Sequence, residues 1–343
     1  MSRRGNPRQS DIARAAGVSQ ATVSYVLTGK GKGIILDSTR QRVLDAVAEL
    51  GYVPNVAAQS LRGGRTSLIG VYTFEPVFPV SADDYYHEFL VGIEEQAVEA
   101  RLDLVLFAST QTPDGRRSIY ASGSNRLRLA DGAVLLGLQD TDQELERLAA
   151  EEFPVVFIGR REGVVGKMPY VSLDYDGALA GVLDQLHGAG HRQIGYLGDA
   201  DRTGPDEERL NGFLRHSERL NVQAGEPVLV DAEQFDPALV AKLIADGVTA
   251  MVVESYALID ALTAACTAAG LSIPRDLSIV GLDVGRHRAM APGGSHIEVP
   301  RRALGRRAVA VLIELLEGRV DREYHEELAC LPADNSTIAP PAS

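Results

Sequence analysis

The segment from residue 19 to residue 25 carries side chains suited to recognition chemistry. Gln20 can form two hydrogen bonds with an adenine base edge, and Ala21 can pack against a thymine methyl group. Tyr25 follows one helical turn after Ala21, so in a helix it lies on the same face. Short hydroxyls, which suit phosphate oxygens, occur at Ser19, Thr22 and Ser24. The segment therefore has the side chains of a surface that reads DNA.

Helix signals around this segment indicate the elements that position it. Gly17 is a suitable residue to end a first helix, and Ser19 can N-cap a second. Asp37 can cap a third helix, which Gly51 stops. The predicted helices cover residues 11–16, 20–27 and about 38–50. Val18 in the turn and Val23, Val26, Val43, Leu44, Val47 and Leu50 in the helices are the expected apolar positions. Two short helices joined by a tight turn, with a third to complete the core, predict a helix-turn-helix whose second helix enters the major groove.

The distribution of charge agrees with nucleic-acid binding by the N-terminal part of the chain. Residues 1–65 contain ten Lys and Arg against four acids, a net charge of +6, and the whole chain carries −13, so the remainder carries −19. A basic head attracts phosphates while an acidic body limits non-specific binding.

Other chemistries find little support in the residue pattern. Cys266 and Cys330 are not in a C-x-x-C or Cys/His cluster, so we expect no metal, no disulfide and no cofactor. His87-Glu88 and His325-Glu326 lack the second histidine of a zinc hydrolase, and no G-x-S-x-G motif is present. We expect a protein that is not an enzyme, without a membrane span or an export signal, and therefore cytoplasmic.

The remaining chain divides into a linker and a core. Pro54 and the pair Gly63-Gly64 bound a helix of about two turns, which is marginal alone in water. From residue 66, nearly continuous apolar strands alternate with amphipathic helices, which indicates parallel sheets covered on both faces. We expect strands near 68–72, 102–107, 132–136, 155–158, 194–197, 227–230, 250–253 and 277–281.

This pattern predicts an α/β core of two doubly wound lobes in series, with a ligand cleft at the carboxyl ends of the strands. The predicted domains are a headpiece (1–53), a hinge helix or linker (54–65) and a core (66–343). Within the core, one lobe comprises about 66–168 plus 300–322, and the other 169–299 plus 323–338. The polar, Pro-rich stretch 335–343 is predicted to be disordered.

Several motifs resemble the LacI/GalR family of bacterial transcriptional regulators. In the headpiece they are Asp11-Ile12-Ala13, Gly17-Val18-Ser19, Thr22-Val23-Ser24 and Gly51-Tyr52-Val53-Pro54-Asn55. Downstream they include Gly190-His191-Arg192, Arg209-Leu210-Asn211-Gly212-Phe213 and Pro274 to Asp283. The resemblance covers nearly the whole chain, and it implies a helix-turn-helix headpiece, a hinge helix and a periplasmic-binding-protein-like sensor core.

The resemblance also implies DNA contacts. The three positions that set operator preference in the family correspond to Gln20, Ala21 and Tyr25. Leu61 matches the leucine that the family inserts into the minor groove, where an apolar wedge kinks DNA. Flanking hinge contacts would come from Asn55, Ala58 and Arg62. The alternative is a solvated tether whose leucine touches the core.

For an effector, the resemblance implies a site between the lobes. Tyr85 and Tyr86 match aromatic positions that flank the ligand in some members, and Arg160 follows a strand at a cleft-lining position. The implied polar contacts are Asp174, Arg209 and Asp283, and Glu254 is a further candidate contact. Alternatively, Asp174 and Asp283 cap helices and Arg209 braces them. The chain departs from the family at Glu254-Ser255, where many members have Asn-Asp, so no particular sugar is transferred.

The expected function is a regulator, in the commoner mode a repressor of carbohydrate or related genes, that binds a pseudo-palindromic operator as a homodimer. The expected effector is a small molecule of the sugar class, which changes operator affinity through the marginal hinge. The absence of a C-terminal leucine heptad favours a dimer over a tetramer. Two alternatives are a sugar-binding protein of the transport type and an enzyme on a doubly wound scaffold.

Overall fold

The computed structural model describes residues 7–27, 34–52, 65–75, 85–108, 117–137, 142–161, 163, 165–283, 294–332, 334 and 336–341. The chain divides into two compact units, Met1–Thr66 and Ser67–Ser343. The first unit is a headpiece and the second is a two-lobed α/β core, so the predicted architecture is confirmed. No helix in the described part is long and apolar enough to span a membrane.

The headpiece contains three helices in its described residues: α1 (Gln9–Ala16), α2 (Gln20–Leu27) and α3 (Asp37–Leu50). Ile12, Val23 and Val43, one from each helix, are completely buried and form the centre of the unit. Gly17 and Gly51 end α1 and α3 with φ angles of 64° and 62°. Because this left-handed conformation favours glycine, local sequence alone determines where these two helices stop.

The start of α3 differs from the prediction. Asp37 is the first helical residue, and the N-cap position is Leu36, which supplies no side-chain hydrogen bond. Leucine is a poor cap because it offers no acceptor to the free N–H groups of the first turn. The side chain of Leu36 is also exposed, so the residue contributes neither capping nor core packing.

Leu36→Ser is therefore expected to stabilise α3 by about 1 kcal/mol, because a serine hydroxyl accepts a hydrogen bond from the first turn. Hydrogen exchange of α3 amides in the full chain measures the gain as increased protection. The control is Ile34→Ser, which removes an equally exposed apolar side chain outside the cap. Equal protection in the two variants would contradict the capping argument.

The first lobe is built on a parallel sheet of β1 (Leu68–Thr73), β2 (Asp103–Leu106), β3 (Gly132–Leu136), β4 (Val155–Ile158), β5 (Tyr170–Asp174) and β11 (His325–Ala329). In the described residues the strand order is β11-β5-β4-β3-β1-β2. The helices α4 (His87–Ala100) and α10 (Arg301–Leu316) cover one face, and α5 (Asp142–Ala150) covers the other. Every residue of β3 and β4 is buried, which explains their continuous apolar sequences.

The second lobe repeats this plan. Its parallel sheet contains β6 (Gln193–Gly198), β7 (Gln223–Ala224), β8 (Val228–Leu229), β9 (Ala250–Ser255) and β10 (Ser278–Asp283). The helices α6 (Tyr175–Gly188) and α7 (Gly204–Leu220) pack on one face, with α8 (Ala238–Ala245) and α9 (Tyr256–Ala268) on the other.

The predicted boundaries of the lobes are wrong at two places. β5 pairs with β4, and β11 pairs with β5, so both strands belong to the sheet of the first lobe. The sequence pattern instead predicts that residues 169–174 and 323–329 belong to the second lobe. Strand pairing between segments about 150 residues apart is decided by long-range packing, which leaves no local mark on β11, whose burial merely alternates.

The C-terminal tail is predicted to be disordered, but its described part is bound to the second lobe. Thr337 donates its hydroxyl to the Ile279 carbonyl at 2.6 Å and accepts from the Ser295 amide at 2.7 Å. The Ala339 amide donates to the Ser278 hydroxyl at 3.1 Å. These bonds link the tail to β10 and complete the edge of the second sheet.

Helices α4 and α10 cross at two glycines. A Cβ atom on Gly305 would overlap the Phe89 carbonyl oxygen, and one on Gly92 would overlap the Arg302 carbonyl oxygen. The crossing is reinforced by ion pairs of Arg302 with Glu95 and of Arg306 with Glu95 and Glu99. Because only glycine allows the two backbones to approach this closely, Gly92 and Gly305 are both required at the crossing.

Gly305→Ala is expected to lower the free energy of unfolding of the core by about 1–3 kcal/mol, because the added methyl group forces the helices apart. Urea denaturation of the full chain measures the loss. Gly181→Ala in α6 is the control, since no atom lies within 4 Å of its added Cβ, and it should gain about 0.5–1 kcal/mol from helix propensity. A neutral Gly305→Ala would contradict the close approach.

Candidate functional site

The N-terminal turn of α2 presents the predicted reading residues. Ser19 caps the helix as expected, because its hydroxyl accepts from the Thr22 amide at 3.1 Å and lies 2.9 Å from the Thr22 hydroxyl. Gln20 and Ala21 are exposed, and Tyr25 is 51% exposed. The opposite side of α2 is buried in the headpiece core, so these three side chains share the open surface. Thr22 and Ser24 are half-buried at its border.

The predicted DNA contacts of the hinge are in the linker segment, residues 54–65. Asn55, Ala58, Leu61 and Arg62 lie outside the described residues, and their roles stay predictions.

The cleft of the core lies where the carboxyl ends of β3, β4 and β5 meet the second lobe. The space between its walls, including the part open to solvent, amounts to about 560 Å³. Most of the wall comes from the first lobe, and the second lobe adds the beginning of α6 and the first turns of α7. The residues that line this space include Tyr85, Tyr86, Arg160, Arg161, Ser172, Tyr175 and Glu208.

Tyr85 and Tyr86, the two predicted ligand-flanking residues, form an aromatic corner at the start of α4. Their ring centroids lie 5.2 Å apart at an angle of 89°. The Tyr86 hydroxyl donates to Glu75 Oε2 at 2.7 Å, and the Arg301 guanidinium lies 5.0 Å from the Tyr85 ring centroid. These contacts fix both rings, so the apolar corner is formed before any ligand enters.

Two consecutive arginines follow β4 at the cleft. Arg160, the predicted residue, lines the space and is exposed. Sequence reasoning missed Arg161, which also lines it. Arg161 donates from Nη2 to the Gly137 carbonyl oxygen and lies 5.3 Å from the Phe157 ring centroid. Its Nε is buried, and within the described part of the chain it has no hydrogen-bond partner.

Ser172 is a second unanticipated wall residue. It is 3% exposed, and its hydroxyl has no hydrogen-bond partner among the residues that the structure describes. The sequence contains one indication of this role, because Ser172 places a hydroxyl group within the apolar residues of β5. A single serine in a strand, however, usually does not contact a ligand.

The predicted effector contacts Asp174 and Arg209 are engaged within the protein. Asp174 caps α6 by accepting from the Gly177 amide at 2.7 Å. Arg209 is 4% exposed and donates to Asp206 Oδ1 at 3.1 Å and to the Tyr175 hydroxyl at 3.0 Å. Neither lines the cleft directly, whereas Tyr175, which Arg209 holds, does. Asp283 ends β10, and its side chain lies outside the described residues.

Glu254, also predicted to contact the effector, lies behind the cleft wall. Its carboxylate is 1% exposed and accepts from the Tyr196 hydroxyl, from the Asp199 amide at 3.0 Å and from Arg202 Nη1 at 2.5 Å. Burial raises the pKa of the Glu254 carboxyl, and the hydrogen bonds from Arg202 and Tyr196 act in the opposite direction.

This network holds the loop before α7. Arg202 also donates to the Asp206 carbonyl at 2.5 Å and pairs with Glu207 at 3.1 Å. Since α7 contributes Glu208 to the cleft wall, Glu254 determines the position of that wall through Arg202.

Comparison with known proteins gives matches over both units. Residues 10–55 match the profile "Bacterial regulatory proteins, lacI family", and residues 183–333 match "Periplasmic binding protein-like domain". The regulator MalR of Streptomyces coelicolor is 30% identical over 348 residues, covering 95% of this chain and 94% of that protein. DegA of Bacillus subtilis is 30% identical over 281 residues, covering 80% of each.

Solved structures share the fold. The lac repressor dimer bound to operator and the anti-inducer ONPF gives a TM-score of 0.73 at 23% identity, over 97% of this chain and 99% of that one. A complex of the transcriptional regulator CelR with cellobiose gives 0.63 at 25% identity, over 94% and 97%.

Proposed function

Since the chain belongs to the lacI family of bacterial regulatory proteins and is a transcriptional regulator, we propose that it is a repressor acting on a pseudo-palindromic operator in the cytoplasm. The observation that carries this proposal is the open, Ser19-capped end of α2 in a three-helix headpiece. A helix end of this kind fits the major groove of DNA.

In the proposed complex, Gln20 and Ala21 contact base edges, and Tyr25 completes the reading surface. Ser19, Thr22 and Ser24 contact phosphates and set the position of α2 without specifying sequence. In the linker, Leu61 enters the minor groove as a wedge, with Asn55, Ala58 and Arg62 beside it.

We propose a homodimer, because a two-fold protein matches a pseudo-palindromic site. The lac repressor, whose fold the chain shares, is described as a dimer on its operator. Support from this chain comes from two exposed apolar residues on neighbouring elements of the first lobe, Val98 on α4 (69% exposed) and Leu106 on the sheet-edge strand β2 (49% exposed). A contact between copies would cover both.

The proposed effector site is the interlobe cleft. The aromatic corner of the cleft, Tyr85 and Tyr86, suits the apolar face of a sugar ring. CelR, a regulator to which this chain is similar, has been solved in complex with cellobiose. Arg160, which lines the cleft, is proposed to contact the polar groups of the ligand, and Arg209 acts by holding Tyr175. Ligand binding there is proposed to change operator affinity through the linker, with a coupling of about 1–3 kcal/mol.

Selection of genomic DNA fragments by the full chain tests the proposal. The expected result is enrichment of fragments that share one pseudo-palindromic motif, with half-sites separated by about one helical turn or a multiple of it. If no motif is enriched at several salt concentrations, the regulator proposal fails, whatever the core binds.

A further inference from the structure

We propose that the ligand of the cleft is an anionic sugar-sized molecule, a phosphate ester or a carboxylate, and that Arg161 and Ser172 hold its charged group. This inference deepens the proposed function and depends on its assignment of the cleft as the effector site. It is independent of which operator the headpiece reads.

The first observation is the uncompensated charge of Arg161. Its one described hydrogen bond goes to the neutral Gly137 carbonyl oxygen, and it forms no ion pair with any residue in the described part of the chain. Two other buried or part-buried arginines of the core, by contrast, are paired with a carboxylate: Arg202 with Glu254 and Arg209 with Asp206. A partly buried charge without a counter-charge is costly, so a ligand that supplies the negative charge binds with a gain that a neutral sugar does not offer.

The second observation is the pair of buried polar groups without partners on one wall. Arg161 Nε and Ser172 Oγ are both inaccessible to solvent and both lack a hydrogen-bond partner among the described residues. Both residues line the same cleft. Buried polar groups are nearly always hydrogen-bonded in native proteins, so we infer that these two groups, both in the wall of one cleft, donate to an acceptor on the ligand.

The orientation of the guanidinium supports an oxyanion. The Phe157 ring at 5.3 Å and the Gly137 carbonyl hold Arg161 at the cleft wall, and in the proposed complex a small rotation of its guanidinium lets it bind a carboxylate or phosphate through two parallel hydrogen bonds. The Ser172 hydroxyl adds a third donor. Glu208, across the cleft, is an acceptor for sugar hydroxyls, and Tyr85 and Tyr86 contact the ring.

Calorimetric titration of the full chain tests whether Arg161 and Ser172 bind the charged group of the ligand. The probes are hexose phosphates and uronic acids, each with its neutral parent sugar, and inorganic phosphate alone, at constant ionic strength. The wild type should bind at least one charged compound about ten- to a hundredfold more tightly than its neutral parent. Arg161→Gln should abolish that preference, and Arg161→Lys should keep part of it.

Two controls separate charge recognition from damage to the fold. Arg215→Gln removes an exposed arginine of α7 that pairs with Asp176 and should leave the preference unchanged. Ser172→Ala should weaken the charged compounds more than their parents. Without ligand, Arg161→Gln should not lower the melting temperature, because it removes an unpaired charge.

Three results would overturn the proposal: neutral parents that bind as tightly as the charged compounds, no charged compound that binds, or a preference that survives Arg161→Gln. The first of these, with operator selection intact, would leave the regulator standing with a neutral effector. Failure of operator selection would instead refute the proposed function and leave charge recognition measurable.

Discussion

Replacing Glu254 by alanine is expected to lower the free energy of unfolding of the core by about 3–5 kcal/mol. The change leaves Arg202 in a nearly enclosed position without its buried counter-charge. It also removes the acceptor for the Tyr196 hydroxyl and the Asp199 amide. Urea denaturation of the full chain, with the core followed by hydrogen exchange of its strand amides, measures the loss.

The matched control is Glu207→Ala, which removes the other carboxylate paired with Arg202. Because Glu207 is 53% exposed, its loss should cost at most about 1 kcal/mol. Similar small losses in both variants would show that the network does not hold α7. A large loss for Glu254 alone supports its role behind the wall rather than in contact with the ligand.

Thr337→Val is expected to cost about 2–3 kcal/mol, although the two side chains have nearly the same shape. The change leaves the Ile279 carbonyl and the Ser295 amide without the Thr337 hydroxyl, and each buried group left unpaired costs about 1–3 kcal/mol. Hydrogen exchange of β10 and thermal unfolding of the full chain should both report a weakened second lobe.

Thr267→Val provides the comparison, since the Thr267 hydroxyl bonds only the Thr263 carbonyl at the exposed surface of α9. This bond within one helix contributes little, so the control should change stability by less than about 0.5 kcal/mol. If Thr337→Val is as neutral as Thr267→Val, the tail does not stabilise the sheet edge.

Local signals were sufficient where structure is local. Gly17, Ser19 and Gly51 define helix ends in the headpiece because one residue's conformation or hydroxyl decides each of them. Two helix starts there were wrong: α1 begins at Gln9 rather than at residue 11, and the cap of α3 is Leu36 rather than Asp37, because the better capping residue lies one position inside the helix. The capping preferences of the amino acids show which residue types stabilise a helix start. They do not show which residue of the chain occupies the N-cap position.

Long-range contacts explain what the sequence could not predict. The polar composition of the tail predicts disorder, yet Thr337 finds its partners 42 and 58 residues away. Similarly, Glu254 and Arg209 have residue types typical of a ligand site, but folding brings Arg202 and Asp206 to them first. Whether a buried charged side chain forms an ion pair within the protein depends on the fold and cannot be deduced from its residue type.

The arginine pair after β4 shows the same limit over a short distance. Gly159 has a φ of 105°, which L side chains rarely adopt, and this turn breaks the alternation of the strand. The alternation of side chains between the two faces of β4 therefore cannot be extended to Arg160 and Arg161. For this reason the sequence did not indicate that both side chains line the cleft.

The most direct test of the account is a fluorescence-anisotropy titration of a selected operator fragment and a scrambled fragment of the same composition. The full chain should bind the operator at least about a thousandfold more tightly. Gln20→Ala should lose about tenfold or more on the operator while leaving the scrambled fragment unchanged, because phosphate contacts persist. Equal affinity for both fragments, or a preference untouched by Gln20→Ala, would contradict the claim that α2 reads the operator.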